Sequence, residues 1–178
     1  MAFFTFSLPL LSERFSQLVK APFTNPNMLW IAVPLIITLV MVELYFGKYR
    51  EEKMGWNTAL TNALVLVFVS LNLFQFIFRV EGEMFFKIFF NQAFYIAFSI
   101  LLLGILLFFI DFFHLIPEAL AFTISAHLPI NITAYTAIVI VYSNLPLDFA
   151  TVLAWLSLII ILGVFFFFVK LMLHKDYR

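Results

Sequence analysis

The sequence predicts an all-α integral membrane protein: a bundle of five transmembrane helices preceded by an amphipathic helix at the interface. Three observations carry that prediction. Hydrophobic residues make up 65% of the chain and charged residues only 11%, against roughly a quarter charged in a soluble domain. The mean hydropathy is +1.09. The few charges collect at the edges of apolar runs longer than about 18 residues, the length that crosses a bilayer as a helix.

Ten basic and ten acidic residues cancel, so no basic patch points to nucleic acid. The chain has no cysteine. Disulfides, thiolate zinc sites, iron–sulfur ligation and haem attachment through CxxCH are therefore excluded. The 26 phenylalanines suit lipid-facing and packing positions. No cofactor and no bound metal is expected.

Residues 1–27 read as an amphipathic helix followed by a linker, and 28–178 as the bundle. The first residues lack the positive charge and small-residue cleavage site of a signal peptide. Ser7 can cap a helix whose first turn accepts Pro9. Leu8, Leu11, Phe15, Leu18 and Val19 then recur at helical spacing, opposite Glu13, Ser16, Gln17 and Lys20. Such a helix lies in the headgroup plane or docks on the bundle. The linker runs over 21–26, with Asn25 as the next cap and Pro26 opening the first span.

The spans are expected at 28–46, 57–78, 84–115, 117–143 and 148–173. Trp30 at one end of the first span and Tyr45 and Tyr49 at the other form an aromatic belt. The most charged loop, 47–56, separates the first two spans, and a tight turn at 79–83 separates the next two. Pro117 and Glu118 open the fourth span, Pro at a first-turn position and an acid at the positive helix end. Pro129 lies near its centre and predicts a kinked or broken helix, with His127 beside it; a re-entrant hairpin is the alternative. Asp148 can cap the last helix.

Five spans place the two ends of the chain on opposite sides. Lys48, Arg50, Lys53, Lys170, Lys175 and Arg178 fall on one side, Arg14, Lys20, Arg79 and Lys87 on the other. Six against four favours a cytoplasmic C-terminus. Pairs at small-xxx-small spacing (Ala59/Ala63, Ala93/Ala97, Ala121/Ser125, Ala150/Ala154) let backbones approach closely. Their depths match span two with four, and span three with five. No internal repeat supports an inverted-repeat transporter.

Polar groups inside the spans are the candidate functional residues. Asn62, Asn72, Gln75 and Arg79 share one face of the second span, and Asn91 and Gln92 lie at matching depth on the third. They are read as a polar seam that bonds the hairpin together, or as a hydrated pathway that would include Glu43. Glu43 is the one acid well inside the first span and can pair with Lys48 or Arg50. Asp111, His114 and Glu118, at steps of three and four, form a possible interfacial site of the oxygen–nitrogen type that divalent metals use. Pro129 frees a carbonyl near Ser125 that a hydroxyl can satisfy.

Catalytic signatures are absent: GxSxG, HExxH, the P-loop and GxGxxG do not occur. The first functional reading is a small, non-catalytic structural or accessory subunit of a larger membrane assembly. Its partners are then the bilayer and other membrane subunits, or further copies of itself. The second is an oligomeric channel or transporter for ions or small solutes. The third is a metal-dependent membrane enzyme acting on lipid through Asp111, His114 and Glu118.

Overall fold

A computed structural model describes residues 7–49, 52, 54–80 and 90–175, and the described residues contain helices and no strand. In chain order the helices are α1 (Leu8–Thr24), α2 (Pro26–Lys48), α3 (Trp56–Val80), α4 (Gln92–Phe112), α5 (Glu118–Ile124), α6 (His127–Ser143) and α7 (Phe149–Lys175). Five segments are long and apolar enough to cross a membrane: Pro26–Lys48, Trp56–Arg79, Gln92–Phe112, Glu118–Ser143 and Phe149–Leu173. At about 1.5 Å per residue, each exceeds the ~30 Å of a hydrocarbon core.

The arm made of α5 and α6 is the centre of the bundle. Of its most apolar stretch 67% is buried, against 17% for α2 and for α7. Every residue of α6 from Ala134 to Val141 is buried, and α6 touches α1, α2, α3, α4 and α7. The most extensive pairing is the hairpin of α3 and α4. Gly104 makes that closeness possible: a Cβ there would stand 3.0 Å from Val67 N and 3.0 Å from Leu66 Cβ. Outward faces are apolar. Trp30 is 87% exposed, and Phe23, Phe68, Leu106, Ile160 and Phe168 are exposed with it.

Of the small-residue pairs, Ala59, Ala63, Ala97, Ala150 and Ala154 are wholly buried. The expected match of span two with span four is present as contact of α3 with α5 and α6. Span three does not choose span five: α4 meets mainly α3 and α6, while α7 meets α1, α2 and α6. The central arm stands between them.

Three predicted boundaries are corrected. The linker at 21–26 shrinks to Asn25, because α1 runs on to Thr24 with Pro22 inside it. Asn25 makes no side-chain cap to α2; its amide donates instead to Tyr142 O on α6, at 2.9 Å. The third helix starts at Gln92, not 84, because Asn91 is extended and its Oδ1 accepts from Ala93 N–H at 2.9 Å. The stretch 81–89, which carries most of the predicted turn and the expected start of that span, lies outside the described residues. The same helix ends at Phe112, short of Leu115. His114 turns to φ 53°, and Leu115 N–H closes back on Ile110 O at 3.0 Å, a left-handed helix end.

The fourth span is broken, but not at Pro129. Helix α5 stops at Ile124, Ala126 is extended (φ −63°, ψ 151°), and α6 restarts at His127. Pro129 is thus the third residue of α6. There its missing N–H is one of the donors that a helix start leaves unpartnered anyway.

A helix-interior proline also deprives a carbonyl four residues earlier. Pro22 cannot donate to Leu18 O, and the Tyr135 hydroxyl of α6 takes that oxygen at 2.7 Å. The bond is buried and ties α1 onto the bundle, with Leu18, Ala21 and Pro22 buried at the contact. Tyr135→Phe leaves the Leu18 carbonyl buried without a donor. It should lower stability by about 1–3 kcal/mol and raise protease cleavage within α1, read by thermal unfolding and limited proteolysis in detergent; an unchanged variant would show that α1 docks without this bond.

Candidate functional site

The polar residues of the spans gather at three places. The first is the break between α5 and α6. Pro129 offers no proton to Ser125 O, and Asn62 Nδ2 of α3 donates to that carbonyl at 2.7 Å. Ser125 Oγ donates to Asp111 Oδ2 of α4 at 2.7 Å. Asn62, Ser125 and Asp111 are all buried, Asp111 to 1% exposed. Asp111 Oδ1 has no hydrogen-bond partner. An amide, not the expected hydroxyl, satisfies the freed carbonyl, and this leaves the Ser125 hydroxyl for Asp111.

Asp111, His114 and Glu118 therefore do not form one site. The His114 ring stacks on Trp56, with centroids 4.0 Å apart. Glu118 is exposed in the first turn of α5. Among the described residues, no group of three His, Asp or Glu side chains is placed to hold a metal ion.

The second place joins α2, α6 and α7. Glu43 pairs with Lys170, Oε2 to Nζ at 2.5 Å; Arg50, one of the two partners expected for it, lies outside the described residues. Glu43 and Lys170 lie near the C-terminal ends of the first and last spans, which run in the same direction. Lys170 thus belongs inside α7, not among the charges beyond it. A Cβ on Gly47 would come within 3.0 Å of Lys170 Cγ, so glycine lets α7 lie close to α2 at this level. His127 packs its ring against Phe46 and lies in electrostatic range of Glu43 and Lys170. Its Nε2 is buried without a partner, as is Asn131 Oδ1 one turn on.

The third place is the opposite end of the bundle. Arg14 of α1 grips Asp148 through Nη2 at 2.8 Å and Nε at 3.0 Å. Asp148 caps α7, as its sequence position predicts: Oδ1 accepts from Thr151 N at 2.8 Å and Thr151 Oγ1 at 2.9 Å. Gln92 holds the loop between α6 and α7, donating to Leu145 O at 2.9 Å and accepting from Leu147 N–H at 3.2 Å.

Of the amides expected to zip α3 to α4, Asn62, Asn72 and Gln92 bond to the central arm or to the loop that follows it. Asn62 and Asn72 face the central arm, Asn72 Oδ1 accepting from the Tyr142 hydroxyl at 3.1 Å. Asn91 caps its own helix and Gln92 serves the loop. Gln75 and Arg79 are exposed near the end of α3. Hydrophobic spacing placed these residues on one face but could not say which neighbour that face would meet. Lys170, Ser125, Tyr135, Tyr142 and Arg14 were missed as partners. The legible signal was strongest for Lys170, a lone cation in an apolar run at the depth of a lone acid.

The fold and these three sites define an apolar helical bundle with five segments long enough to cross a membrane and polar bonds between helices in its interior, an architecture compatible with a membrane protein. Compared with family models, with curated proteins and with solved structures, the chain matches none.

Two outcomes follow from these contacts. Glu43→Leu and Lys170→Leu each strand a charge, so each should destabilise more than the double variant corrected for the lost packing. A double-mutant cycle of unfolding in detergent should give a coupling of about 0.5–3 kcal/mol; zero coupling would mean the two groups are solvated separately. At Asp148, burial pushes the carboxyl up, but the bonds from Arg14 and Thr151 outweigh it and hold the group below the usual carboxylate range. Its contribution is then present above the unfolded value of about 3.9 and lost as pH falls through the lower folded value. An acid titration of stability should show this loss, and Arg14→Met should shrink it.

Proposed function

We propose that the chain is an integral membrane protein and serves as a small, non-catalytic structural or accessory subunit that packs laterally in a larger membrane assembly. One observation carries this reading. The buried groups Asn62, Ser125, Asp111 and Glu43 bond across helices, to one another, to a backbone carbonyl or to Lys170, while large apolar side chains cover the outward faces. Bonds of this kind fix helices relative to each other in lipid, where apolar contact alone gives little preference among partners. An apolar exterior on every side suits lipid and neighbouring helices equally. In this reading α1 lies at headgroup level, held by Arg14 to the end of α7, and the C-terminus is cytoplasmic, the side given the larger share of Lys and Arg.

A second reading, conduction of ions or small solutes by an oligomer, is favoured by the Glu43–Lys170 pair with His127 and Asn131 beside it, because ionisable groups inside spans commonly line pathways.

One measurement separates the two. The particle extracted in mild detergent at native expression level should contain other subunits in fixed ratio with this chain. A particle made only of copies of this chain would overturn the accessory reading. Ion flux in liposomes, lost in Glu43→Gln, would then establish the second.

A further inference from the structure

The end of the bundle where Arg14 holds Asp148 also carries a polar recess. It lies between α1 and the C-terminal end of α6 and encloses about 330 Å³, at the lower end of the range for small-molecule sites. Helix α1 contributes Ser16 and Lys20, and the end of α6 contributes Ser143 and Asn144. Lys20, Ser143 and Asn144 are exposed and Ser16 is half-buried, so a ligand entering the recess reaches all four. Their side chains make no hydrogen bond or ion pair with other described residues. No acid lines the recess. The acids nearest in sequence are engaged, Asp148 by Arg14 and Glu13 by Gln17 Nε2 at 3.1 Å. The two walls differ in sign. Lys20 puts a full positive charge on the α1 side. Opposite it, α6 ends at Asn144 in a left-handed turn (φ 51°), and the negative end of a helix dipole favours a cation.

We infer that this recess holds the phosphoethanolamine headgroup of a glycerophospholipid, its phosphate oxygens accepting from Lys20 and Ser16 and its ammonium set at the end of α6. The inference rests on the membrane reading above, which puts α1 at headgroup level. Charge decides among the alternatives. A simple phosphate meets Lys20 but is repelled by the dipole end. A simple cation meets the dipole end but is repelled by Lys20. A zwitterion meets both walls at once. Hydrogen bonding then separates two zwitterions: an ammonium has N–H groups to give to the carbonyls and hydroxyl at a helix end, and a trimethylammonium has none.

The test uses the purified full chain in a neutral detergent, with dioleoyl phosphatidylethanolamine titrated in and bound lipid counted by native mass spectrometry. One lipid should bind tightly per chain, and dioleoyl phosphatidylcholine should bind about tenfold more weakly. Lys20→Gln should weaken the first lipid by about tenfold or more, the worth of one charge-assisted hydrogen bond, and Lys20→Arg should keep most of the affinity. Lys20 is exposed, so both variants should unfold at the temperature of the parent chain. Arg79→Gln removes an exposed cation that does not line the recess and should change nothing. Equal losses from Lys20→Gln and Arg79→Gln, or equal binding of the two lipids, would overturn the site while the chain still resists alkaline carbonate extraction from membranes. Glycerophosphoethanolamine, the headgroup without its tails, should compete only in large excess. If it binds as tightly as the lipid, the recess belongs to a soluble ligand and the lipid assignment falls. Release by carbonate would overturn the membrane reading itself and this inference with it.

Discussion

A carbonyl that has lost its helical donor must find another, and in an apolar interior no water supplies one. The break before α6 imposes that constraint on Ser125, and Pro22 imposes it on Leu18. In both places the substitute donor comes from a distant helix: Asn62 for Ser125, Tyr135 for Leu18. A defect in one helix thereby becomes a specified contact between two. Asn25 and Gln92 apply the same logic to carbonyls near the end of α6, which no turn of helix follows. The central arm carries two of these four acceptors, and it is also the arm that every long neighbour touches.

Charge reinforces the arrangement at the two ends. Glu43 and Lys170 pin α2 to α7 at one level, and Arg14 and Asp148 pin α1 to α7 at the other. The pairs differ in setting. Asp148 sits in a loop with four hydrogen bonds around it, whereas Glu43 sits in a span near an imidazole whose Nε2 still lacks a partner. The first is a closed structural clamp. The second leaves chemical capacity unused, which is why conduction survives as the competing reading of the molecule.

The class of fold was legible because it rests on quantities summed over long stretches. Five apolar runs and their charged borders do not depend on any single neighbour. The break in the fourth span was legible from Pro129, but its position was not: a proline is cheaper in a first turn than in a helix middle, so the chain moved the break upstream to Ser125 and Ala126. The third helix was read too long at its far end, because the apolar residues up to Leu115 look helical by composition and only the turn at His114 shows where the helix ends. Sites were least legible. The spacing of Asn62 and Asn72 fixes a face, but packing of the central arm, not of the adjacent hairpin, decides what that face bonds. Asp111, His114 and Glu118 share a spacing that one straight helix would align, and the left-handed turn at His114 ends that helix among them.

The clamp between Arg14 and Asp148 spans 134 positions of sequence. At about 5–20 residues per second of synthesis, its two halves emerge roughly 7–27 s apart. Through most of that interval α1 has neither its ionic partner nor the Tyr135 hydroxyl, since both belong to the last third of the chain. An early helix with a buried-type face and a proline-freed carbonyl must therefore wait, shielded by lipid or by another protein, until the late helices arrive to cover it. Assembly of this bundle is timed by its final segments, and a ribosome that stalls before Asp148 releases a product whose first helix has nowhere to settle.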